Sequence, residues 1–436
     1  MHNLAIALHR AGHQVSGSDD AIFDPSRSRL EKEGLLPEQM GWDANRINAE
    51  LEGVILGMHA RPDNPELIKA KELGLPVWSF PEYVYLQSRQ KLRLAVCGSH
   101  GKTSITAMVM HVLQQHQQRF DYLVGAQLDG FEVMVQLSDA PTIVLEGDEY
   151  LASPTDREPK FLRYQPNLAL LSGIAWDHVN VFPTYEIYFE QFRKLLRVLG
   201  PEGTLVYNEE DPEVVRLIEE GWECELIPYR CPEHAVDNGQ LVIGERRFEV
   251  IGRHNLHNAA GAAGLCIKLG MPDESVWDAL ATFPGAARRL QVLGRNQHST
   301  VIRDFAHSPS KVKASTSAVG GQFGREGFTA VFELHTFSSL NAEFLPQYRE
   351  ALDGAGRALV YYSPATVEAK KLDPISPEAV HKAFGRADLE VFTDPALLQS
   401  RLKELAAETS TLLLMSSGPF GGMDIEKLTS AVLSTD

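Results

Sequence analysis

The chain has 436 residues and a formal net charge of −17, because 58 Asp and Glu residues outnumber 41 Lys and Arg residues. Such an acidic chain is a poor nonspecific binder of nucleic acid or of anionic membranes, since both require clustered positive charge. Apolar residues make up 44% of the chain, as in ordinary globular proteins, which excludes broad disorder. The length predicts about three domains.

The sequence gives no indication of a membrane or secreted protein. No apolar run reaches the roughly 18 residues of a membrane helix, and the N-terminal residues lack the basic-then-apolar order of a signal peptide. The four cysteines, Cys97, Cys224, Cys231 and Cys266, show neither CxxC pairs nor metal-ligand spacing. We therefore expect free thiols and a cytoplasmic protein. We also expect a monomer or weak dimer, with no nucleic acid or membrane partner.

Helices and strands are predicted to alternate from the start of the chain. In the first block, the pattern predicts a helix at 4–11, strands at 14–16, 51–57 and 76–78, and a helix at 65–74. Asn64 and Pro65 are typical of the start of that second helix, as an N-cap and a first helical residue. Because the block begins on a helix, we expect that the first strand and glycine-rich turn of a Rossmann-like unit are missing from it.

The second and third blocks repeat this alternation. The second has predicted strands at 92–97, 142–145 and 168–171 and helices at 103–115, 185–198 and 257–269, and the third has strands at 300–303, 329–332, 358–362 and 412–415. Strands that alternate with helices favour parallel sheets. The predicted fold class is therefore α/β, with three domains that each hold a mainly parallel sheet flanked by helices: a Rossmann-like N-terminal domain at 1–88, a P-loop central domain at 89–288 and a Rossmann-like C-terminal domain at 289–436.

The segment GSHGKTS at 98–104 is the strongest functional signal in the sequence. It follows a predicted strand and opens a helix with an apolar stripe. Gly98 and Gly101 permit a tight turn whose N–H groups point inward, and the helix N-terminus adds positive partial charge. Lys102 supplies a cation for terminal phosphates, and the Thr103 hydroxyl can bind Mg²⁺. The segment predicts polyphosphate binding, although GxxGKT is shorter than GxxxxGK[ST]; the alternative is a glycine-rich turn with an incidental lysine.

Three further segments carry polar groups that suit a nucleotide site. A predicted strand runs into the acidic run EGDE, which begins at Glu146, and carboxylates at such a strand end are placed to hold Mg²⁺. The next predicted strand is followed by Asp177 and His178, and histidine can ligate a metal or relay protons. The polar segment GRHNLHN at 252–258 opens a helix. The alternatives for the three segments are, in the same order, a solvated acidic loop, a loop histidine with hydrogen-bond partners in the protein, and simple helix capping.

Taken together, these segments resemble the Mur ligase family, the ATP-dependent amide ligases of peptidoglycan assembly. The matching segments, in the family's order and across all three blocks, are GSHGKTS, EGDE, DH, GRHNLHN, PGAARRL at 284–290 and RDFAHSP at 303–309. The resemblance implies that the first domain holds a nucleotide sugar, that the middle domain holds ATP and Mg²⁺, and that the third completes the site. The segments SGSD at 16–19 and DNPEL at 63–67 resemble the branch that takes UDP-N-acetylmuramate.

The resemblance also implies roles for individual residues. The implied ATP-binding residues are Gly98, Ser99, His100, Gly101, Lys102, Thr103, Ser104, Asn258, Arg289, Asp304 and His307, with Asn258 at the adenine and Arg289 and Asp304 at the phosphates and ribose. The implied metal ligands are Thr103, Glu146 and His178, and the implied catalytic residues are Lys102, Glu146 and His178. Ser18, Asp19 and His59 are the implied UDP-sugar contacts.

The activity implied is an ATP-dependent ligation that joins UDP-N-acetylmuramate to the murein tripeptide L-Ala-γ-D-Glu-meso-diaminopimelate through an acyl phosphate, in cell-wall peptide recycling. The alternative within the family is ligation of L-alanine, but Thr336 follows His335 where the L-alanine branch tends to have Arg. A folylpolyglutamate synthetase is disfavoured by the first block, and a generic P-loop kinase or GTPase by the short loop and the lack of a guanine-reading NKxD-like motif. A non-catalytic homologue that binds nucleotide or muropeptide is the alternative from another class.

Overall fold

A computed structural model describes every residue except 59, 126, 129–130, 154–155, 177–180, 286–288 and 435–436. The chain forms two compact units. The first comprises Met1–Arg230 and His257–Leu280, and the second comprises Cys231–Leu256 and Ala281–Asp436. The first unit thus holds the first predicted block and most of the second, and the division into three domains stays a prediction.

The elements up to the end of the long first segment are α1 (His2–Arg10), α2 (Ser26–Lys32), β1 (Val54–Leu56), α3 (Pro65–Glu72), β2 (Val77–Ser79), α4 (Phe80–Ser88), β3 (Leu92–Cys97), α5 (Lys102–Gln115), β4 (Phe120–Leu123), β5 (Val135–Gln136), β6 (Thr142–Glu146), α6 (Lys160–Arg163), β7 (Leu168–Leu171), α7 (Tyr185–Leu199), β8 (Thr204–Asn208), α8 (Pro212–Ile218) and β9 (Glu225–Tyr229).

The remaining elements are β10 (Ala235–Asp237), β11 (Gln240–Ile243), β12 (Arg246–Phe248), α9 (Arg253–Lys268), α10 (Asp273–Ala281), β13 (Gln291–Arg295), β14 (Thr300–Asp304), α11 (Pro309–Phe323), β15 (Phe328–Leu334), β16 (Arg357–Tyr362), α12 (Pro364–Ala369), α13 (Pro377–Phe384), β17 (Glu390–Phe392), α14 (Pro395–Glu404), β18 (Thr411–Met415) and α15 (Ile425–Leu433). Short 3₁₀ turns lie at Ala44–Arg46, Leu345–Tyr348, Ala406–Glu408 and Phe420–Gly422.

A seven-stranded sheet in the order β5-β4-β6-β3-β7-β8-β9 organises the first unit. Its strands are parallel except β5, which pairs antiparallel with β4. Strand β3 is central, with β6 and β7 on either side, and its residues from position 93 onward are buried. Ala95 and Cys97 of β3 pack in a core with Phe189 and Phe192 of α7. Both sides of β3 are therefore fixed, and its carboxyl end has a defined position.

A six-stranded sheet in the order β13-β14-β18-β15-β16-β17 organises the second unit. It is parallel except at β13, which pairs antiparallel with β14. The antiparallel strands β10, β11 and β12 form a separate small sheet. The core on one side of the large sheet contains Phe332, whose ring centroid lies 5.2 Å from that of Tyr348 and 6.3 Å from that of Phe384. The α/β class and the parallel sheets predicted from the sequence are confirmed.

Most predicted elements are confirmed to within a few residues, but the strand predicted at 14–16 is wrong. These residues are described and form no strand, and β1 pairs only with β2 in a two-stranded parallel sheet. Val15 instead packs against the apolar cluster that contains Leu4 and Val84. An extended segment becomes a strand only where a neighbouring strand offers backbone hydrogen bonds. The predicted cap at Asn64 is confirmed, because its side chain accepts hydrogen bonds from the N–H groups of Glu66 and Leu67, at 2.8 and 3.3 Å.

The cysteines are confirmed as free thiols. All four are buried and none is in a disulfide. Burial raises the pKa of the Cys97 thiol and raises that of Cys266 to about 12. Both thiols therefore stay neutral near pH 7 and are poor nucleophiles. In the part of the chain that the structure describes, no helix has both the length and the apolar character needed to cross a membrane.

Replacement of Phe332 by Ala should lower the free energy of unfolding of the second unit by about 3–5 kcal/mol, because the fully buried ring leaves a cavity. The measurement is urea-induced unfolding followed by circular dichroism. Phe337→Ala is the matched control, since the Phe337 side chain is 58% exposed. A similar loss of stability in both variants would contradict the described core.

Candidate active site

The turn between β3 and α5 requires glycine at two positions. Gly98 has φ +116° and Gly101 has φ +75°, in the region that residues with a Cβ rarely adopt. A Cβ on Gly98 would also lie 2.9 Å from the backbone nitrogen of Ser172, and a Cβ on Gly101 would lie 2.5 Å from Oδ1 of Asn258. The turn is therefore a close-packed cradle, and Asn258 lies beside it.

Hydrogen bonds hold this turn against the loop that follows β7. The backbone N–H and the hydroxyl of Ser99 both donate to the Gly173 carbonyl oxygen, each at 3.0 Å, and the Ser99 hydroxyl accepts from the Ala175 N–H at 2.6 Å. The Ser172 hydroxyl donates to the carbonyl oxygens of Cys97, at 3.2 Å, and of His100. Ser99 is thus engaged in fixing the loop, and its contact with ATP stays a prediction, as does that of His100.

Lys102 lies at the first position of α5 with its side chain folded back over the turn. Its ammonium is 2.7 Å from Oε2 of Glu149 and 2.7 Å from the Gly98 carbonyl oxygen. The side chains of Lys102 and Glu149 are 15% and 2% exposed. Gly101 is the N-cap and supplies no side-chain cap, so the first-turn amides, including those of Thr103 and the buried Ser104, can bind an anion. When a phosphate binds, one of its oxygens would take the place of one of these two protein oxygens as a partner of the Lys102 ammonium.

Thr103 and Glu146 form a pair of oxygen donors beside Lys102. The Thr103 hydroxyl donates to Oε1 of Glu146 at 2.8 Å, and the Gly125 N–H donates to Oε2 at 2.9 Å. A hydroxyl and a carboxylate are the hard oxygen ligands that Mg²⁺ takes, and the magnesium ion in such sites keeps several waters and binds phosphate oxygens. These two residues fit a divalent cation held together with a triphosphate.

The third predicted metal ligand, His178, lies outside the described residues, as does its neighbour Asp177. Among the residues that are described, no group of three or more His, Cys, Asp and Glu side chains could hold a metal ion on its own. The metal assignment of His178 therefore stays a prediction.

A second ion pair lies next to Glu146. Oδ2 of Asp148 is 2.6 Å from the Lys160 ammonium, and Oδ1 accepts from the Tyr150 N–H at 3.2 Å. Burial opposes the ionisation of Asp148, but the charge and hydrogen bond of Lys160 outweigh it and hold the pKa of this carboxyl below its usual value. Sequence analysis did not find Lys160, because no motif in the chain marks it. The pairing of Glu149 with Lys102 was also missed, although Glu149 stands in the recognised acidic run.

Two of the predicted site residues of the second unit, Asp304 and His307, have partners within that unit. Asp304 is buried, and its carboxylate accepts hydrogen bonds from the N–H groups of Leu290 and Phe305, at 3.2 and 2.9 Å, and from the Ser315 hydroxyl. Nδ1 of His307 lies 2.8 Å from the carbonyl oxygen of Phe305. Arg289 is exposed. The ATP contacts assigned to Arg289, Asp304 and His307 stay predictions.

Of the predicted UDP-sugar contacts, Ser18 and Asp19 lie in the first block. The Ser18 hydroxyl donates to Glu66 of α3, and the carbonyl oxygen of Asp19 accepts from the Gly41 N–H at 2.8 Å. His59 lies outside the described residues. The structure brings together Gly98, Gly101, Lys102, Thr103, Glu146 and Asn258 in the first unit.

Comparison with known proteins identifies the family. The model for the Mur ligase middle domain matches residues 96–266, and the model described as Mur ligase family, catalytic domain, matches residues 1–91. A UDP-N-acetylmuramate–L-alanine ligase of Arthrobacter sp. (strain FB24) is 31% identical over 375 residues, which cover 83% of this chain and 78% of that protein. The chain belongs to the Mur ligase family.

Other Mur ligases are similar along almost the whole chain. The UDP-N-acetylmuramate–L-alanyl-γ-D-glutamyl-meso-2,6-diaminoheptandioate ligase of Escherichia coli (strain K12) is 26% identical over 438 residues, 97% of this chain and 94% of that protein. The crystal structure of a UDP-N-acetylmuramate–alanine ligase from Thermotoga maritima, 22% identical, has a TM-score of 0.67 and covers 99% of this chain and 95% of its own. The predicted family and Mur ligase fold are confirmed, and this Mur ligase is an ATP-dependent enzyme.

Replacement of Gly98 by Ala should weaken ATP binding at least about tenfold, because the new Cβ both strains the backbone and collides with Ser172. The measurement is isothermal titration calorimetry with ATP. Gly74→Ala is the matched control, since Gly74 also has a positive φ of +69° but has nothing within 4 Å of an added Cβ. Equal ATP affinity in the two variants would contradict the close-packed cradle.

Proposed function

We propose that this Mur ligase joins UDP-N-acetylmuramate to the murein tripeptide L-Ala-γ-D-Glu-meso-diaminopimelate, with cleavage of ATP to ADP and phosphate. The observation that carries the proposal is the convergence of Lys102, Thr103 and Glu146 at the carboxyl ends of the adjacent strands β3 and β6. The choice of tripeptide is supported by the name of the Escherichia coli relative and by Thr336, which follows His335 where L-alanine ligases tend to have Arg.

The chemistry requires activation of a carboxylate, because an oxide ion is too poor a leaving group for an amine to displace at neutral pH. The lactyl carboxylate of the muramic acid attacks the γ-phosphorus of ATP, and the bond from that phosphorus to the bridging oxygen of ADP breaks. The amine of the tripeptide then attacks the carbonyl carbon of the resulting acyl phosphate. Phosphate leaves with one oxygen of the original carboxylate, and the amine loses a proton.

Both steps crowd negative charge, so the protein must supply fixed positive charge and aligned donors. Lys102 would hold the γ-phosphate, and the amides at the start of α5 would bind its neighbours. Thr103 and Glu146, with His178, would hold Mg²⁺, which supplies further neutralisation of the phosphate charge. Glu149 keeps Lys102 aimed at the turn when no phosphate is bound.

The remaining predicted residues complete the proposal. Asn258 would contact the adenine, Arg289 and Asp304 the phosphates and ribose of ATP beside His307, and Ser18, Asp19 and His59 the nucleotide sugar. The position of Asn258 against Gly101 supports its part in the nucleotide site. We also propose the three domains 1–88, 89–288 and 289–436, and a cytoplasmic location, which the four free thiols support.

Ligation of L-alanine is the second candidate, supported by the Arthrobacter relative at 31% identity. A phosphate-release assay separates the candidates. It contains ATP, magnesium and UDP-N-acetylmuramate throughout, and the amine is the tripeptide, L-alanine or none. Release that depends on the tripeptide is the expected result. Release that depends only on L-alanine favours the second candidate, and ATP binding without release with either amine indicates a non-catalytic homologue.

Lys102→Ala should lower kcat for ligation by about 10²–10³, because the loss of one preorganised charge at the reacting phosphate has this effect. Lys69→Ala is the control, since Lys69 forms an exposed pair with Glu72 at 3.6 Å. His178→Ala should lose nearly all turnover as well. Thermal unfolding establishes that each variant is folded, and near-normal ATP-dependent ligation by folded Lys102→Ala would show that the phosphate assignment is wrong.

A further inference from the structure

A cavity of about 220 Å³ lies within the first unit and reaches Glu146. Its lining includes three charged side chains, Glu146, Asp148 and Lys160. Most of the other lining residues are apolar, among them Phe80 and Leu123. A cavity of this size accepts a small group or part of a larger ligand, and its charged residues would orient that group.

Glu146 connects this cavity with the phosphate loop. One of its carboxylate oxygens accepts from Thr103 at the start of α5, and the other accepts from the Gly125 N–H. The same side chain lines the cavity. A ligand in the cavity would therefore lie next to Glu146, which in the proposed function holds Mg²⁺ beside the terminal phosphate, and this is where an acid must lie in order to accept that phosphate.

The charge balance around this position is unfavourable for an acid. Glu146, Asp148 and Glu149 place three carboxylates within four consecutive residues, and Lys102 is already paired with Glu149 at 2.7 Å. Before ATP and Mg²⁺ bind, an incoming carboxylate would be repelled by Glu146 unless a cation of the protein faced it. Among the described residues that line the cavity, Lys160 is the only Lys or Arg. Met1 also belongs to the lining, but burial lowers the pKa of its α-amino group and so disfavours the charged form.

Lys160 is held firmly and yet remains accessible. Its backbone N–H donates to the carbonyl oxygen of Tyr150 at 3.0 Å, and the bridge between Leu151 and Pro159 closes the loop just before it. Its ammonium is fixed 2.6 Å from Asp148, while the side chain keeps 24% of its exposure. An ammonium has three donors, so one bond to Asp148 leaves donors for a ligand.

We propose that Lys160 binds the carboxylate of the acid substrate in this cavity and positions it for attack on the terminal phosphate of ATP. The inference rests on the proposed function and deepens it, because it assigns the acid, rather than the amine or the nucleotide, to this cation. The part of the ligand recognised in the cavity is the lactyl carboxylate on the otherwise uncharged N-acetylmuramyl group. Asp148 is the positioning residue, since it fixes the ammonium of Lys160.

Calorimetric titration in the absence of ATP tests this assignment with two ligands, UDP-N-acetylmuramate and its analogue in which the lactyl carboxylate is a primary carboxamide. Lys160→Met should weaken binding of the acid by about 10- to 100-fold, the usual effect of losing a hydrogen bond between charged groups. The affinity for the carboxamide should stay unchanged. Lys160→Arg should restore most of the affinity for the acid, because it keeps the positive charge.

The matched control is Lys194→Met, since Lys194 also forms an ion pair, with Glu158 at 3.3 Å, but does not line the cavity. Steady-state kinetics provide a second readout, in which Lys160→Met should raise KM for the acid and leave KM for ATP and for the tripeptide unchanged. Equal losses for acid and carboxamide would show that the Lys160–Asp148 pair only stabilises the loop. A rise in KM for the tripeptide alone would assign Lys160 to the amine substrate. Either result overturns the inference.

The proposed function and this inference fail separately. If the wild-type protein binds UDP-N-acetylmuramate but releases no phosphate with any amine, the ligase function is wrong, and the binding comparison still decides the role of Lys160. If the wild-type protein ligates normally and Lys160→Met binds the acid as the wild type does, the inference is wrong and the function stands.

Discussion

The candidate active site depends on strand β3 being hydrogen-bonded on both sides. Val96 of β3 lies opposite Glu146 of β6, and Cys97 lies opposite Leu171 of β7. Because the strands are parallel and in this register, three loops emerge at one edge of the sheet. The phosphate loop, the acidic run and the loop after β7, to which Ser99 is hydrogen-bonded, therefore meet at this edge without any long connection.

Charge compensation within the same edge is the second constraint. Lys102 with Glu149 and Lys160 with Asp148 form two partly buried ion pairs within the acidic loop. Removing one partner of a buried pair is strongly destabilising, because the other charge is left buried without compensation. Each pair thus keeps its cation in place when no ligand is bound, and in our proposals the cation would bind a phosphate in the first case and a carboxylate in the second.

Local sequence patterns predicted the elements that carry their own signal. The apolar strand, the glycine turn and the amphipathic helix around Lys102 are adjacent in the chain, so their order was sufficient. The pairing of Lys102 with Glu149 spans 47 residues and depends on the register of β6 with β3, which no local pattern encodes. Lys160 follows a loop that the bridge between Leu151 and Pro159 and the hydrogen bond from its own N–H to the Tyr150 carbonyl oxygen return to the acidic run.

The strand predicted at 14–16 illustrates the same limit. Its residues have a pattern typical of a strand, but a strand also requires a partner, and β1 pairs with β2 alone. Strands β8 and β9, which lie beyond β7 toward one edge of the sheet, were not singled out from the sequence, whereas the central strands β3, β6 and β7 were found through their continuous apolar runs. The sequence was most informative at the centre of the sheet, where the nucleotide loop lies.

The central claim is that the turn after β3 holds a triphosphate whose terminal group passes to a carboxylate. The most direct test follows one oxygen atom, with UDP-N-acetylmuramate labelled by oxygen-18 in the lactyl carboxylate and the released phosphate examined by mass spectrometry. We predict one labelled oxygen in the phosphate for each amide bond formed, because the acyl phosphate breaks between that oxygen and the carbonyl carbon. Formation of the amide with unlabelled phosphate would contradict the claim.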